Sequence, residues 1–563
     1  MNDLKSKLKI VIRSIRRCGF IATLEKIRRT VNRDGQKYLA KSLRLTEAEI
    51  GMQKNHRFAN EPLISLIVPL YNTPENFLRD MIESVRRQTY AGWQLCMADG
   101  SDDGYEYVGN IACEYAQADS RIIYRKLAEN AGISANTNAC IQLAAGEYLG
   151  MLDHDDILSV DALYETVRAI NEQGADFIYS DEVKFEGSIE NAYAPNYKPN
   201  FSKDELRAHN YICHFNVYKK SLISKAGGMY RPECNGSQDH DMVLRLTEVA
   251  ESIVHIPRIL YYWRVHSNSV AQGVENKMYA VEAAHRAISD QLQRVHEPGR
   301  VRSAEPYITL YRIDYELPED CHATYFIYNV KTRQDLVNCC QSLQRCLDGQ
   351  KHDIVVLNCQ DIYRDKSLPV RYYDGEIDAL PQEFHAKFFV FCDAACTATS
   401  DRLHEEMVGF LQRPDVCAAG AKVTGRHRIR SAGIILDDRK KSGYADMYSG
   451  YGDENHGYEA ALMHTRNVTA VEPCFMGIKR ADFACCRALK GQSLRDFLFN
   501  AELYHTFAGK LNVWIPFINA DIGRHELPVS GVFRQNWHDY VVQGDIYFNP
   551  NLNFYEKYIS GGK

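Results

Sequence analysis

Three aspartates and a histidine stand together as Asp153-His154-Asp155-Asp156, directly after the apolar run Tyr148 to Leu152. The turn that follows a strand lets alternate side chains point into one crevice. Two aspartates one residue apart then offer the carboxylate oxygens that Mg²⁺ or Mn²⁺ accepts while it also binds a substrate phosphate. A second reading is open for the same stretch, a helix start whose acidic side chains favour the dipole, and Asp156 suits that role. Polar clusters end other apolar runs as well: Tyr71 and Asn72 after Ile64 to Leu70, Asp99 to Asp103 after Trp93 to Ala98, and Asn130 with Gly132 after Arg121 to Leu127.

The elements that must position these residues read as the βαβ alternation of an α/β domain with a largely parallel sheet. Thr73 and Pro74 start a helix whose Phe77, Leu78, Met81, Ile82 and Val85 share one face for burial. Another helix, over Ser134 to Ala145, precedes the fourth strand. In an open α/β sheet the ligand crevice lies beyond the carboxyl ends of the strands, so the clusters are expected to converge on one nucleotide-type pocket.

At 563 residues the chain exceeds what one hydrophobic core spans. The expected organisation is a basic amphipathic helical segment over 1–55, a first α/β domain over 56–300, a second over 320–530 and a tail over 531–563, with Glu297 to Glu305 as linker. In the N-terminal segment Leu4, Leu8, Val11, Ile15 and Cys18 fall on one helix face and Lys5, Lys7, Lys9, Arg13, Arg16 and Arg17 around it. Such a helix either lies on an anionic membrane surface, giving peripheral contact through residues 1–45, or packs its stripe on the protein. A net charge of −6 gives no general footprint for nucleic acid. The 17 cysteines are scattered and form no paired CxxC, as reduced thiols would be. No apolar run is long enough to cross a bilayer and the start is too basic for a signal peptide, so a cytoplasmic location is expected.

The succession ISLIVPLYN, CMADGSDD, AENAGISANTNA, AAGEYLGMLDHDD, YSDE and GSQDHDMVLRL, over about residues 60 to 270, resembles the inverting family 2 glycosyltransferases of GT-A fold. It is closest in pattern to bacterial polysaccharide and O-antigen enzymes described as rhamnosyltransferases. The resemblance implies that Pro69, Tyr71 and Asn72 cradle the nucleobase and ribose and that Asp99 accepts a hydrogen bond from the base, although Ala98 stands where the family often has a further aspartate. It places Asn130 and Asn138 along the nucleotide-sugar pocket, with loop-turn and helix asparagines as the structural alternative. Asp153 and Asp155 then match the metal-binding DxD that joins ribose and Mg²⁺ or Mn²⁺ to the diphosphate. Asp239 matches the general base, with Gln238 in place of the usual glutamate. His266 is a candidate third metal ligand and Arg264 a candidate phosphate partner. Asp181, Glu182 and Gln238 are candidates for acceptor contacts, and Ser267 to Gly273 for a mobile lid.

The resemblance further implies a nucleoside diphosphate sugar donor and a glycan or lipid-linked glycan acceptor. A sugar-1-phosphate nucleotidyltransferase is the first rival, but PLYNTPE stands where such enzymes carry a glycine-rich signature. A pseudo-transferase that only binds glycan or scaffolds a complex is the second. Residues 320–530 resemble the family more faintly: FFVFCDAAC keeps Asp393 but has Ala395 where a second carboxylate would stand, and no acidic pair opens the helix near Phe497 and Leu498. That half reads as a degenerate GT-A-like domain without catalysis of its own.

Overall fold

A computed structural model of the chain describes residues 43–266, 278–486, 492–530 and 533–552. Most of the expected basic helix, the stretch Ser267 to Gly273 and the end of the tail lie outside these residues. What is described of the first segment includes a helix, Glu47–Asn55, closed by a capping box in which Thr46 and Glu49 satisfy each other's backbone N–H groups.

The first sheet contains β1 (Ile64–Leu70), β2 (Trp93–Asp99), β3 (Ile122–Lys126), β4 (Tyr148–Met151), β5 (Ile157–Leu158), β6 (Phe177–Glu186), β7 (Ser188–Asn196), β8 (Asn216–Lys219) and β9 (Ile253–Arg264). Its order is β3-β2-β1-β4-β8-β6-β9-β5, with β7 on β6. β1 is parallel to both β2 and β4 and is buried along its whole length, as continuous apolar sequence requires of a strand covered on both faces. The chain winds from β1 through β2 to β3 on one side and returns to β4 on the other, which opens a crevice at the carboxyl ends of β1 and β4. Proline is rare in such a central strand. Pro69 is tolerated because its N–H would face the β4 side, and the β1–β4 pairing already ends at Ile67 and Met151.

A helix over Met278–Arg294 follows the first sheet. The expected linker is instead largely a strand: β10 (Gly299–Ala304) pairs antiparallel with β11 (Tyr307–Tyr315). Pro298 and Gly299 lead into that ribbon, whose alternating Tyr311, Ile313 and Tyr315 are buried in a core shared by residues of both sheets.

The second sheet repeats the first. Strands Arg371–Tyr373, His352–Leu357, Ala323–Tyr328, Phe388–Asp393, Phe475–Lys479, Val416–Gly425, Leu511–Asp521 and Thr397–Ala398 follow one another across it, which is the order of the first sheet element for element. The expectation of two GT-A-like α/β sheets therefore holds. The repeat lacks a counterpart of the helix Ile133–Leu143, and only short turns and the four-residue helix Leu380–Glu383 fill that interval.

Buried ions tie the halves together. Arg413, 1% exposed, hydrogen-bonds Asp204 and lies 3.2 Å from Glu297 and 3.0 Å from Asp415. Asn467 accepts from the backbone N–H of Asp204 at 3.0 Å and donates to its carboxylate at 2.7 Å. Charges removed from water persist only when partnered in this way.

Candidate active site

The loop after β1 is locked to the loop after β2. Asn72, at φ 48°, donates to Asp102 at 2.8 Å and accepts from its N–H at 3.0 Å, while the Tyr71 hydroxyl donates to the same carboxylate at 2.8 Å. Asparagine reaches this left-handed conformation more readily than most residues. Tyr71, 42% exposed, and the half-buried Asn72 thus stand beyond the carboxyl end of β1. Pro69 does not: its side chain is buried in β1, in register with Ala98.

Asp99 is 1% exposed and already holds protein donors: the Ser101 N–H at 2.8 Å, the Tyr124 hydroxyl at 2.8 Å and Lys126 Nζ at 3.3 Å. Asp102, missed as a site residue, stays exposed, as does Asp103, and its hydrogen bonds from Asn72 and Tyr71 lower its pKa. Asn130 accepts from Gly132 N–H at 3.1 Å and from Asn136 Nδ2 at 2.9 Å, shaping the next loop. Asn138 departs from its expected role. Its amide donates to the Tyr230 carbonyl at 2.8 Å and accepts from the Tyr230 N–H at 3.0 Å, so it clamps two segments together.

Thr73 Oγ1 lies 3.0 Å from His154 Nδ1, joining the ends of β1 and β4 across the crevice. The carboxylates around His154 have separate environments. Asp153 projects outward, 57% exposed, with His214 Nε2 at 3.4 Å; burial of its surroundings would raise its pKa, but the hydrogen bond and charge of His214 outweigh this and lower it. Asp155 Oδ2 lies 2.8 Å from His266 Nε2, and both side chains are about one-fifth exposed, 22% each. Asp156 is buried, accepting from the Tyr261 hydroxyl at 2.6 Å and the Arg264 N–H at 2.7 Å, and burial followed by repulsion from Asp155 and Asp153 raises its pKa well above the ordinary value.

Arg264 is not a free phosphate partner. It is 2% exposed, donates Nε to the Asp155 carbonyl at 2.6 Å and Nη2 to Asp80 at 2.9 Å, and stacks over Phe77 and Phe185. Its work is to hold the DxD turn against the helix Glu75–Arg86. Asp181 is likewise internal, fully buried and bonded to Lys198 N–H, His255 and Asn549. Glu182 is buried too. It receives Lys198 Nζ at 3.1 Å, Asn196 at 3.2 Å and His214 Nδ1 at 3.1 Å, and despite burial these partners lower its pKa strongly.

His214, like Asp102, is a residue that sequence reasoning overlooked. It sits between Glu182 and Asp153, stacked on Tyr261 with ring centroids 4.7 Å apart. No motif marks it; only the antiparallel return of β8 beside β4 and β6 brings it there.

Asp239 opens the helix Gln238–Thr247, which is anchored from behind by Asp241 paired with Arg231 and Arg245. Gln238 donates to Asp239 Oδ2 at 2.9 Å and accepts from the Gly236 N–H at 2.9 Å, so it orients the aspartate. Burial first, then the charge of Asp153, push the Asp239 pKa up to about 7, against the opposing pull of His214. The charges of Asp239 and Asp153 are thus near enough to act on each other.

Register identifies the corresponding positions in the second sheet. Tyr148 pairs with Lys219 in the first and Phe388 with Lys479 in the second, so Asp153 corresponds to Asp393, Asp155 to Ala395 and His214 to Cys474. Ser237 and Ser493 each precede a helix start, so Asp239 corresponds to Arg495, which is buried against Glu472. Asp393 accepts from Asn329 Nδ2 at 2.7 Å and from Ala395 N–H at 2.9 Å.

Residues 65–227 match the family model described as glycosyl transferase family 2. The chain is 30% identical over 547 residues to the uncharacterized protein y4gI of Sinorhizobium fredii, covering 88% of this chain and 58% of that protein. It is 28% identical over 399 residues to the O-antigen biosynthesis protein RfbC of Myxococcus xanthus, covering 68% of this chain and 31% of that protein. The chain thus spans less than two thirds of the length of these relatives. The solved structure of S. aureus TarS 1-349 in complex with UDP-GlcNAc is a distant likeness, with a TM-score of 0.35 and 16% identity, covering 41% of this chain and 66% of that one.

Proposed function

From the premise of a family 2 glycosyltransferase domain at residues 65–227, we propose that this protein is an inverting hexosyltransferase that moves a sugar from a nucleoside diphosphate donor to a glycan hydroxyl in cell-surface polysaccharide or O-antigen assembly. The observation that carries the reading is Asp239, a carboxylate at the start of a helix that burial and the charge of Asp153 bring to about 7. A general base works best when its pKa lies near the operating pH. Asp239 takes the acceptor proton as the hydroxyl oxygen bonds to the anomeric carbon, and the bond from that carbon to the diphosphate breaks on the opposite face. The configuration inverts and no covalent intermediate forms on the chain.

The pair Asp155 and His266 supports a divalent cation on its own chemistry: an oxygen donor and an imidazole nitrogen 2.8 Å apart, both partly exposed. The same turn offers a second donor group, Asp153 and Asp156 with His214, whose ligand atoms lie within 4.8 Å of one another. A Mg²⁺ or Mn²⁺ ion bound there would neutralise charge on the leaving nucleoside diphosphate. Tyr71, Asn72 and Asp102 line the nucleoside end. A deoxythymidine diphosphate rhamnose donor is the first choice on the family resemblance, with UDP-galactose, UDP-galactofuranose and UDP-N-acetylhexosamine as competitors. The second sheet has Ala395 and Arg495 at the positions of Asp155 and Asp239, which supports a role in acceptor binding or assembly without catalysis there.

Thermal shift against a panel of nucleotide sugars, with and without Mn²⁺, tests the donor, since a ligand that binds only the folded state raises apparent stability. A metal-dependent shift with one nucleotide class, followed by transfer with inverted anomeric configuration, is the expected result. A retained configuration, or no shift with any member, refutes the reading.

A further inference from the structure

Away from the candidate active site, Glu205, His209 and His464 bring their side chains together where the two halves of the chain meet. Glu205 belongs to the helix Lys203–Ala208, His209 caps that helix, and His464 arrives from the second half just before the strand Arg466–Val468. Glu205 Oε1 lies 3.3 Å from His464 Nε2 and 3.8 Å from His209 Nε2, and the donor atoms of all three fall within 4.8 Å of one another. The two imidazoles meet edge to face with centroids 4.7 Å apart.

We propose that this cluster is a zinc-type metal site that fastens the second half of the chain to the first. Ligands held about 2.0–2.1 Å from a tetrahedral ion stand roughly 3.3–3.4 Å from each other, close to the spacing around Glu205 Oε1. One carboxylate with two imidazoles is a donor set that Zn²⁺ takes, with a further position left for water.

A buried nitrogen gives independent support: the Nε2 of His209 is buried without a hydrogen-bond partner 3.8 Å from Glu205 Oε1, while the fully buried His464 turns its Nε2 to the same carboxylate oxygen. Buried imidazole nitrogens are ordinarily paired, and a cation among them supplies what hydrogen bonds do not.

The placement gives the site a task. His209 lies five residues before His214 on the segment that returns to β8. A metal holding Glu205, His209 and His464 would fix that segment from behind and make the second half a support for the candidate active site. It would do so without touching substrate.

The test uses the full chain carrying Asp155→Ala to weaken the candidate catalytic metal pair, stripped by chelator and titrated with Zn²⁺, and with Co²⁺ as a coloured probe. The parent is expected to take up one tightly held Zn²⁺, to melt higher with it, and to show the visible absorption of low-coordinate Co²⁺. His209→Ala, at the partly exposed ligand, is expected to lose at least about 100-fold in zinc affinity, matching the upper effect of outer-sphere changes. Its melting temperature in zinc-free buffer reports that it folds. His464→Ala should behave alike where it folds. Equal zinc affinity in the parent and in folded His209→Ala overturns the proposal, as does a parent that binds no Zn²⁺.

Discussion

Replacing Asp239 by Asn separates chemistry from stability, because the two should change in opposite directions. Asparagine keeps the shape and the hydrogen bond partner Gln238 but accepts no proton. General-base catalysis contributes roughly 10²- to 10⁴-fold, so turnover should fall by that factor, about 3–5 kcal/mol in the barrier. In the unsubstituted protein the carboxyl at about 7 predicts an activity that rises about tenfold between pH 6 and pH 8, a limb the variant should lack. Stability follows from the same number. The folded protein holds this proton up to about pH 7 while the unfolded chain releases it near 3.8, so the folded state binds more protons across that window and stability falls as pH rises through it. The full excursion at 1.36 kcal/mol per unit is about 4 kcal/mol, and partial exposure screens it to something on the order of 1–3 kcal/mol. Asp239→Asn should therefore melt a few degrees higher than the parent at pH 8 and level with it near pH 3.5. Paired steady-state kinetics and melting curves across pH provide the assay. Unchanged turnover in the variant refutes the base assignment, and equal melting at pH 8 refutes the buried, charge-opposed environment argued for Asp239.

Asp155→Ala should abolish the part of nucleotide-diphosphate binding that depends on Mn²⁺ while leaving metal-free binding and melting nearly unchanged; calorimetric titration with and without the ion would show it, and an undiminished metal effect would count against Asp155. Glu182→Gln leaves Lys198 buried without its carboxylate and should destabilise the fold by about 3–5 kcal/mol, read as a lower denaturant midpoint, with no change in midpoint contradicting the paired arrangement of Lys198 and His214.

The sheet order beyond β4 was not legible in the sequence, although the first strands and the carboxylates that end them were. Apolar runs bounded by polar turns mark Ile64–Leu70 and Trp93–Asp99, and the position of Asp153 and Asp155 follows from the strand before them. What a polar residue does at a strand end depends on who meets it in space. Arg264 and Asp181 have the residue types of a ligand site, yet Asp80 lies 184 positions before Arg264 and Asn549 lies 368 positions after Asp181. Asn138 was misread for the same reason, since its partner Tyr230 belongs to a different element. His214 shows the reverse error: a residue in no motif, put beside Asp153 by an antiparallel return. The repeat in the second half was legible as alternation, but only the matching helix starts after Ser237 and Ser493 identify Arg495 as the counterpart of Asp239.

Arg413 sits in the second half and its counter-charges Asp204 and Glu297 in the first. A chain ended after β11 would strip Asp204 of its guanidinium partner Arg413 and leave Glu297 with Arg207 and Lys203 alone, on a surface that the second half now covers.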